Sequence, residues 1–175
     1  MNRTNEEAVR DKLLDYFEKE DCDYLEKMDG EEILFKKEVR GNVLIFAAKT
    51  NEEGYTVTAK MPLDARPTAA QSDRMFRFIC RTNFVIQNGS FILNTGTGHV
   101  SFRLPVIVTG DGPSPETIAD SIRIVTETVE DRWDELMRVI NYGKEELPPS
   151  NGAAEVYNEE YAAKMLKRIE NRFGE

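Results

Sequence analysis

The stretch GSFILNTGTGHVSFRLPVIV, residues 89–108, holds the single histidine of the chain beside a glycine-rich TGTGH. Histidine titrates near neutrality and can serve as a general base. A glycine-rich turn can cradle phosphate with its backbone N–H groups, provided it leads into a helix N-terminus whose dipole faces the anion. Here the turn leads into VSFRL, and it lacks both a third glycine and a Lys-Ser/Thr pair. Phe91 and Leu93 on one side, and Val100, Phe102, Leu104, Val106 and Val108 on the other, alternate as strands do. The stretch therefore predicts a hairpin turn. His99 falls with Ser101 and Arg103 on the solvent-facing row, with no nucleophile at a fixed spacing, so a surface histidine is expected.

Other chemistry-bearing residues fail on spacing. In DCDYLEKMDGEE, Asp21, Asp23, Asp29 and Glu32 occupy calcium-loop positions one, three, nine and twelve. Leu25 at the fifth position cannot ligate, and Glu26 stands where glycine must make the sharp turn. An acidic helix end and loop are expected instead. Cys22 and Cys80 lack a CxxC partner, and one histidine does not complete a zinc site. Cys80 beside Ile79 reads as a small buried hydrophobe. The carboxylates are spread over charged helix faces, and Trp133 sits in a helical core stripe. No catalytic, metal or cofactor site emerges.

Composition points the same way. The 175 residues suit one domain with a substantial core; 40% are hydrophobic and 31% charged. A net charge of −9 argues against nucleic acid or an anionic membrane surface as partner. No apolar run approaches a membrane span. The acidic start MNRTNEEAVRDKLLDYFEKED has no signal-peptide core. With two cysteines only, a reducing cytoplasm is the expected compartment.

These residues sit on a readable succession of elements. Thr4 and Glu7 have capping-box spacing ahead of Val9, Leu13, Tyr16 and Phe17 on one helical face. Three runs of period two follow, joined by the short turns RGN and NEEG, and predict an antiparallel meander. Their centres are Ile33-Phe35-Val39, Val43-Ile45-Ala47 and Tyr55-Val57-Ala59-Met61. Met75, Phe78, Ile79, Thr82 and Ile86 mark a second helix, stopped at Asn88-Gly89. After the hairpin, Ser114 and Pro115 start a long helix striped by Ile118, Ile122, Val125, Val129, Trp133, Leu136 and Ile140. The order is helix, three strands, helix, two strands, long helix. It predicts an α+β domain over 1–143, with an antiparallel sheet of about five strands covered by helices. A linker over 144–153 and a C-terminal helix over 154–175 complete the chain.

Apolar residues remain on the strand positions assigned away from the main core: Leu34, Leu44, Phe46 and Ile92. The terminal stripe Tyr157, Tyr161, Met165, Ile169 and Phe173, four residues apart, is complementary in length and character. These nine residues are the expected protein-binding surfaces, the terminal helix docking on its own subunit or exchanging in a dimer.

The assembled pattern resembles the YbjN family of bacterial proteins, whose fold is similar to that of type III secretion chaperones. Asn83, then GSFILN at 89–94, GHVSFR at 98–103, and the helix from Ser114 through Trp133 to VINYGK carry the likeness, over roughly residues 5 to 143. The resemblance implies a cytoplasmic, often self-associating α+β domain with protein-binding, chaperone-like or regulatory roles and no established enzymatic activity. It implies for Asn83 a structural hydrogen bond and transfers no catalytic residue. A non-enzymatic protein-binding homodimer is the expectation. The alternative is a small-molecule sensor or unrecognised enzyme with its site between sheet and helices. Replacing His99 with Ala is expected to leave thermal melting and any measured activity near wild type; lost function in a stably folded variant would reinstate a chemical role.

Overall fold

Among the described residues nine elements form in the order expected, with one addition. The computed structural model describes residues 4–27, 30, 32–61, 69–109 and 111–140. Helix α1 spans Asn5–Lys19, followed by strands β1 (Tyr24–Glu26), β2 (Glu32–Val39), β3 (Asn42–Asn51) and β4 (Gly54–Lys60). Helix α2 (Ala69–Val85), strands β5 (Ser90–Leu93) and β6 (Val100–Ile107), and helix α3 (Pro115–Ile140) follow. The strands make one antiparallel sheet in the order β1-β2-β3-β4-β6-β5. The fold is α+β as read, with six strands where about five were expected.

The extra strand is β1, in the segment read as helix end and loop. Three residues are too few for alternation to declare itself. Pairing holds them: Tyr24 opposite Phe35, Leu25 opposite Leu34 and Glu26 opposite Ile33. Glu26 also forms an ion pair with Arg10 of α1, and the Tyr24 ring lies 5.9 Å from Phe17.

The β2–β3 hairpin decides which residues enter the core. Its turn is two residues, Arg40 (φ 54) and Gly41 (φ 74), both left-handed as a tight primed turn demands. That turn sets Val39 opposite Asn42, and hence Phe35 opposite Phe46 and Ile33 opposite Ala48. Leu44 and Phe46 therefore point inward with Ile33 and Phe35, correcting their assignment to the outer face. Ile45 and Ala47 take the outer positions beside Leu34. Both faces of β3 are apolar, so alternation alone could not choose between them; turn length could.

The three described helices lie on the inner face. α1 starts with both halves of its capping box, Glu7 N donating to Thr4 Oγ1 and Thr4 N to Glu7 Oε2, and it buries Val9, Leu13 and Phe17. In α3, Thr117 N donates to Ser114 Oγ at 3.2 Å, with Pro115 in the first turn where no donor is missed. Its stripe Ile118, Ile122, Val125, Val129, Trp133, Leu136 and Ile140 joins Phe102 and Leu104 in one core. Tyr55 crosses that core to meet Ser121 Oγ at 3.1 Å, which satisfies two buried hydroxyls at once. An ion pair between Arg40 and Asp134 at 3.0 Å sets the C-terminal half of α3 beside the β2–β3 turn.

The linker at 144–153 and the helix at 154–175, with Tyr157, Tyr161, Met165, Ile169 and Phe173, lie outside the described residues. Trp133→Ala is expected to cost about 3–5 kcal/mol, the usual loss for an aromatic removed from a packed core. Urea-unfolding midpoints will measure it, and an unchanged midpoint would place Trp133 outside the core.

Candidate functional site

Helix α2 carries two faces with different duties. Met75, Phe78, Ile79 and Thr82 are buried in the core. On the other side Phe76 is 60% exposed, Phe84 90% and Val85 58%. Cys80 is also exposed, correcting its reading as a buried hydrophobe. Phe76, Cys80 and Phe84 are four residues apart, so they form one ridge along the helix. Helical periodicity alone does not separate the ridge from the buried stripe, because the two lie on neighbouring rows of the same helix. The signal was present: apolar residues at 75, 76, 78, 79, 80, 84, 85 and 86 exceed what a single stripe can hold.

Charge on the ridge flanks is already answered. Arg77 pairs with Asp73 at 2.9 Å, and Arg81 pairs with Glu135 of α3. Asn83 fixes the end of the helix. Its Nδ2 donates to Phe91 O at 2.9 Å, and Phe91 N donates to its Oδ1 at 2.8 Å. The side chain thus imitates a strand neighbour and ties α2 to the sheet edge, the structural role that the resemblance implied. Gly89 makes the following turn at φ 79, where a Cβ would meet Arg103 O at 2.5 Å.

The second surface is the outer face of the sheet. Register places Leu25, Leu34, Val43, Ile45 and Ala47 there, with Ile92 farther along on β5. Of the four strand residues expected on this face, Leu34 and Ile92 are present and Leu44 and Phe46 are not. Leu34, Ile45 and Ala47 form a small cluster of their own, backed by Leu25 and Val43. Lys36, Lys49, Lys60 and Arg103 surround it, against Glu32 and Glu38. Glu32 holds Lys27, with Lys60 at 3.9 Å. Burial pushes the Lys60 ammonium below its ordinary pKa despite the opposing pull of Glu32, although its side chain is still 41% exposed.

The glycine-rich loop before His99 is a hairpin connection. Gly96 N and Thr97 N donate to Asn94 Oδ1 at 3.0 and 3.1 Å, and Gly98 N to Asn94 O at 2.6 Å. Its backbone donors are thereby spent within the turn, and β6 rather than a helix follows. His99 is exposed. Between sheet and helices, where a ligand site was the alternative, Phe17, Phe35, Phe46 and Phe102 fill the space. A depression of about 320 Å³ lies along α1, lined by Ala8, Asp11, Lys12, Leu14, Asp15, Glu18 and Asp111. Among the described residues no three His, Cys, Asp or Glu side chains are grouped to hold a metal ion. None of the described helices is long and apolar enough to cross a membrane.

An antiparallel sheet with all its described helices on one face, and a helix crossing between its fourth and fifth strands, defines an α+β class known from solved structures. The chain superposes on the crystal structure of YbjN from E. coli, described as a candidate transcription regulator, with a TM-score of 0.55 at 11% identity. The match covers 73% of this chain and 89% of that one, so the YbjN-like fold anticipated from the sequence is present. No protein-family model matches the chain, and no curated protein matches its sequence.

Asn83→Ala will strand one donor and one acceptor of Phe91, at a cost of about 1–3 kcal/mol. Chemical denaturation will read the loss. No change would mean that water replaces the amide.

Proposed function

We propose that the chain is a non-enzymatic protein-binding module with a regulatory role, working as a homodimer through the α2 ridge. The carrying observation is the exposure of Phe84 at 90% and Phe76 at 60% on one helix face. Aromatic rings are the side chains that contribute most to interfaces, and a connected apolar ridge in water favours association. The ridge is self-complementary. Phe76 and Phe84 stand four residues either side of Cys80, so an antiparallel two-fold pairing sets Phe76 of each copy against Phe84 of the other. Arg77 and Arg81 bring little repulsion to such a pairing, because each already has a carboxylate partner.

The likeness to YbjN supports a regulatory reading, since that protein is described as a candidate transcription regulator. A net charge of −9 favours action through protein contacts over direct DNA binding. Cys22 and Cys80, both exposed free thiols, suit a reducing cytoplasm.

Light scattering provides the test. The native chain is expected to run as a dimer and Phe84→Glu as a monomer with an unchanged circular-dichroism spectrum. Mild oxidation should link two native chains through Cys80 and leave Cys22 free. A native monomer, or a dimer untouched by Phe84→Glu, would overturn the reading.

A further inference from the structure

The outer face of the sheet poses a question of burial. Leu34 is 1% exposed, Ile45 5% and Ala47 1%. Neighbouring strands shield a side chain laterally and leave its tip open to water. Yet α1, α2 and α3 bury their apolar stripes in the core on the opposite face. Apolar side chains this well buried need a layer above them.

We infer that the C-terminal segment 154–175 docks on its own subunit across the outer face of the sheet, over Leu34, Ile45 and Ala47. Length argues for it. As a helix the segment would be roughly 33 Å long. Strand β3, the ten residues at the centre of the patch, is also about 33 Å long. Reach argues for it as well. The Arg40–Asp134 pair brings α3 to the β2–β3 turn, the end of the sheet at which Val43 and Ile45 lie. From Ile140, residues 141–153 can extend about 43–47 Å, enough to pass two layers of about 10 Å each.

Chemistry supports the same occupant. Tyr157, Tyr161, Met165, Ile169 and Phe173 present one apolar stripe at helical spacing. The first half of the segment carries Glu155, Glu159 and Glu160 with no basic residue before Lys164, acid for a rim in which Lys36, Lys49, Lys60 and Arg103 outnumber Glu32 and Glu38. Its second half carries Lys164, Lys167, Arg168 and Arg172 beside Glu170 and Glu175. The lowered pKa of Lys60 agrees with a face partly shielded from water. The other long undescribed stretch, 62–68, begins after Met61 of the inner core and ends at Ala69 of α2, so both its ends belong to the helix side. Docking within one subunit does not depend on the α2 ridge.

Thiol protection tests the inference in the full chain. With Cys22 and Cys80 changed to serine, Ala47→Cys places a thiol under the proposed helix. Thr58→Cys, opposite Ala47 on β4, gives the same reading where position 47 rejects sulfur. Either thiol is expected to react with an aromatic disulfide reagent about tenfold or more slowly than the exposed Cys22, which lies off the α2 ridge, does in the native chain. Adding Met165→Glu and Ile169→Glu should restore fast reaction at every protein concentration. If that pair unfolds the chain, Tyr161→Ala with Met165→Ala disturbs the same contact without adding charge. Protection that survives the tail substitutions in a folded chain overturns the inference. Protection lost on dilution overturns it too, and assigns the face to a second copy.

Discussion

Two residues in a turn govern the parity of the sheet. Because Arg40 and Gly41 alone separate β2 from β3, odd positions of one strand face with even positions of the other. Phe35 and Phe46 are thereby brought to 5.5 Å, and Phe17 of α1 packs on Phe35 at 4.7 Å. The same parity passes through β4 to β6 and sets Ala59 opposite Phe102, which in turn stacks near Phe91. Two groups of rings result, one from α1 to β3 and one on β5 and β6, with Ala59 between them. Lengthening the turn by a residue would send Leu44, Phe46 and Ala48 outward and bring Ile45 and Ala47 in, removing the largest side chain of the central strand from the core.

That choice also creates the second surface. A central strand with apolar residues on both sides cannot satisfy one layer without presenting the remainder to another. Ile45 and Ala47 are the remainder, and Leu34 and Leu25 extend it across two neighbours. The helix side closes with α3, whose stripe is long enough to touch β2, β4 and β6. What it leaves uncovered is the back of α2, where the aromatics face solvent. One surplus lies in the sheet and one on a helix, and they point in different directions.

Much of this was legible from the residues. The caps at Thr4 and Ser114 and the stripe from Ile118 to Ile140 are local signals, and local signals survive folding. The hairpin at Asn94–Gly98 was legible because glycines and an Asx side chain settle a turn by themselves. Three features were not. Strand β1 exists only through its pairing with β2. The facing of β3 rests on turn length, since its alternation reads equally well both ways. The α2 ridge hid because Phe76 and Phe84 interleave with Met75, Phe78 and Ile79 on neighbouring helical rows. The outer-face residues Leu34 and Ile92 were found, and Leu44 and Phe46 were misplaced by that same ambiguity.

The sheet ends in short strands, three residues of β1 on one side and four of β5 on the other. Past them, the outer rims of β2 and β6 carry Lys36, Lys37 and Glu38, and Pro105. Lysine on an open rim discourages another strand from adding, and proline lacks the N–H that such an addition would use. A peptide seeking to extend this sheet meets a frayed, charged border instead of a template. Recognition by strand augmentation is thereby suppressed, and so is runaway edge-to-edge stacking at high concentration. Association is left to side chains on broad faces, a geometry that closes on a defined partner and does not propagate into fibres.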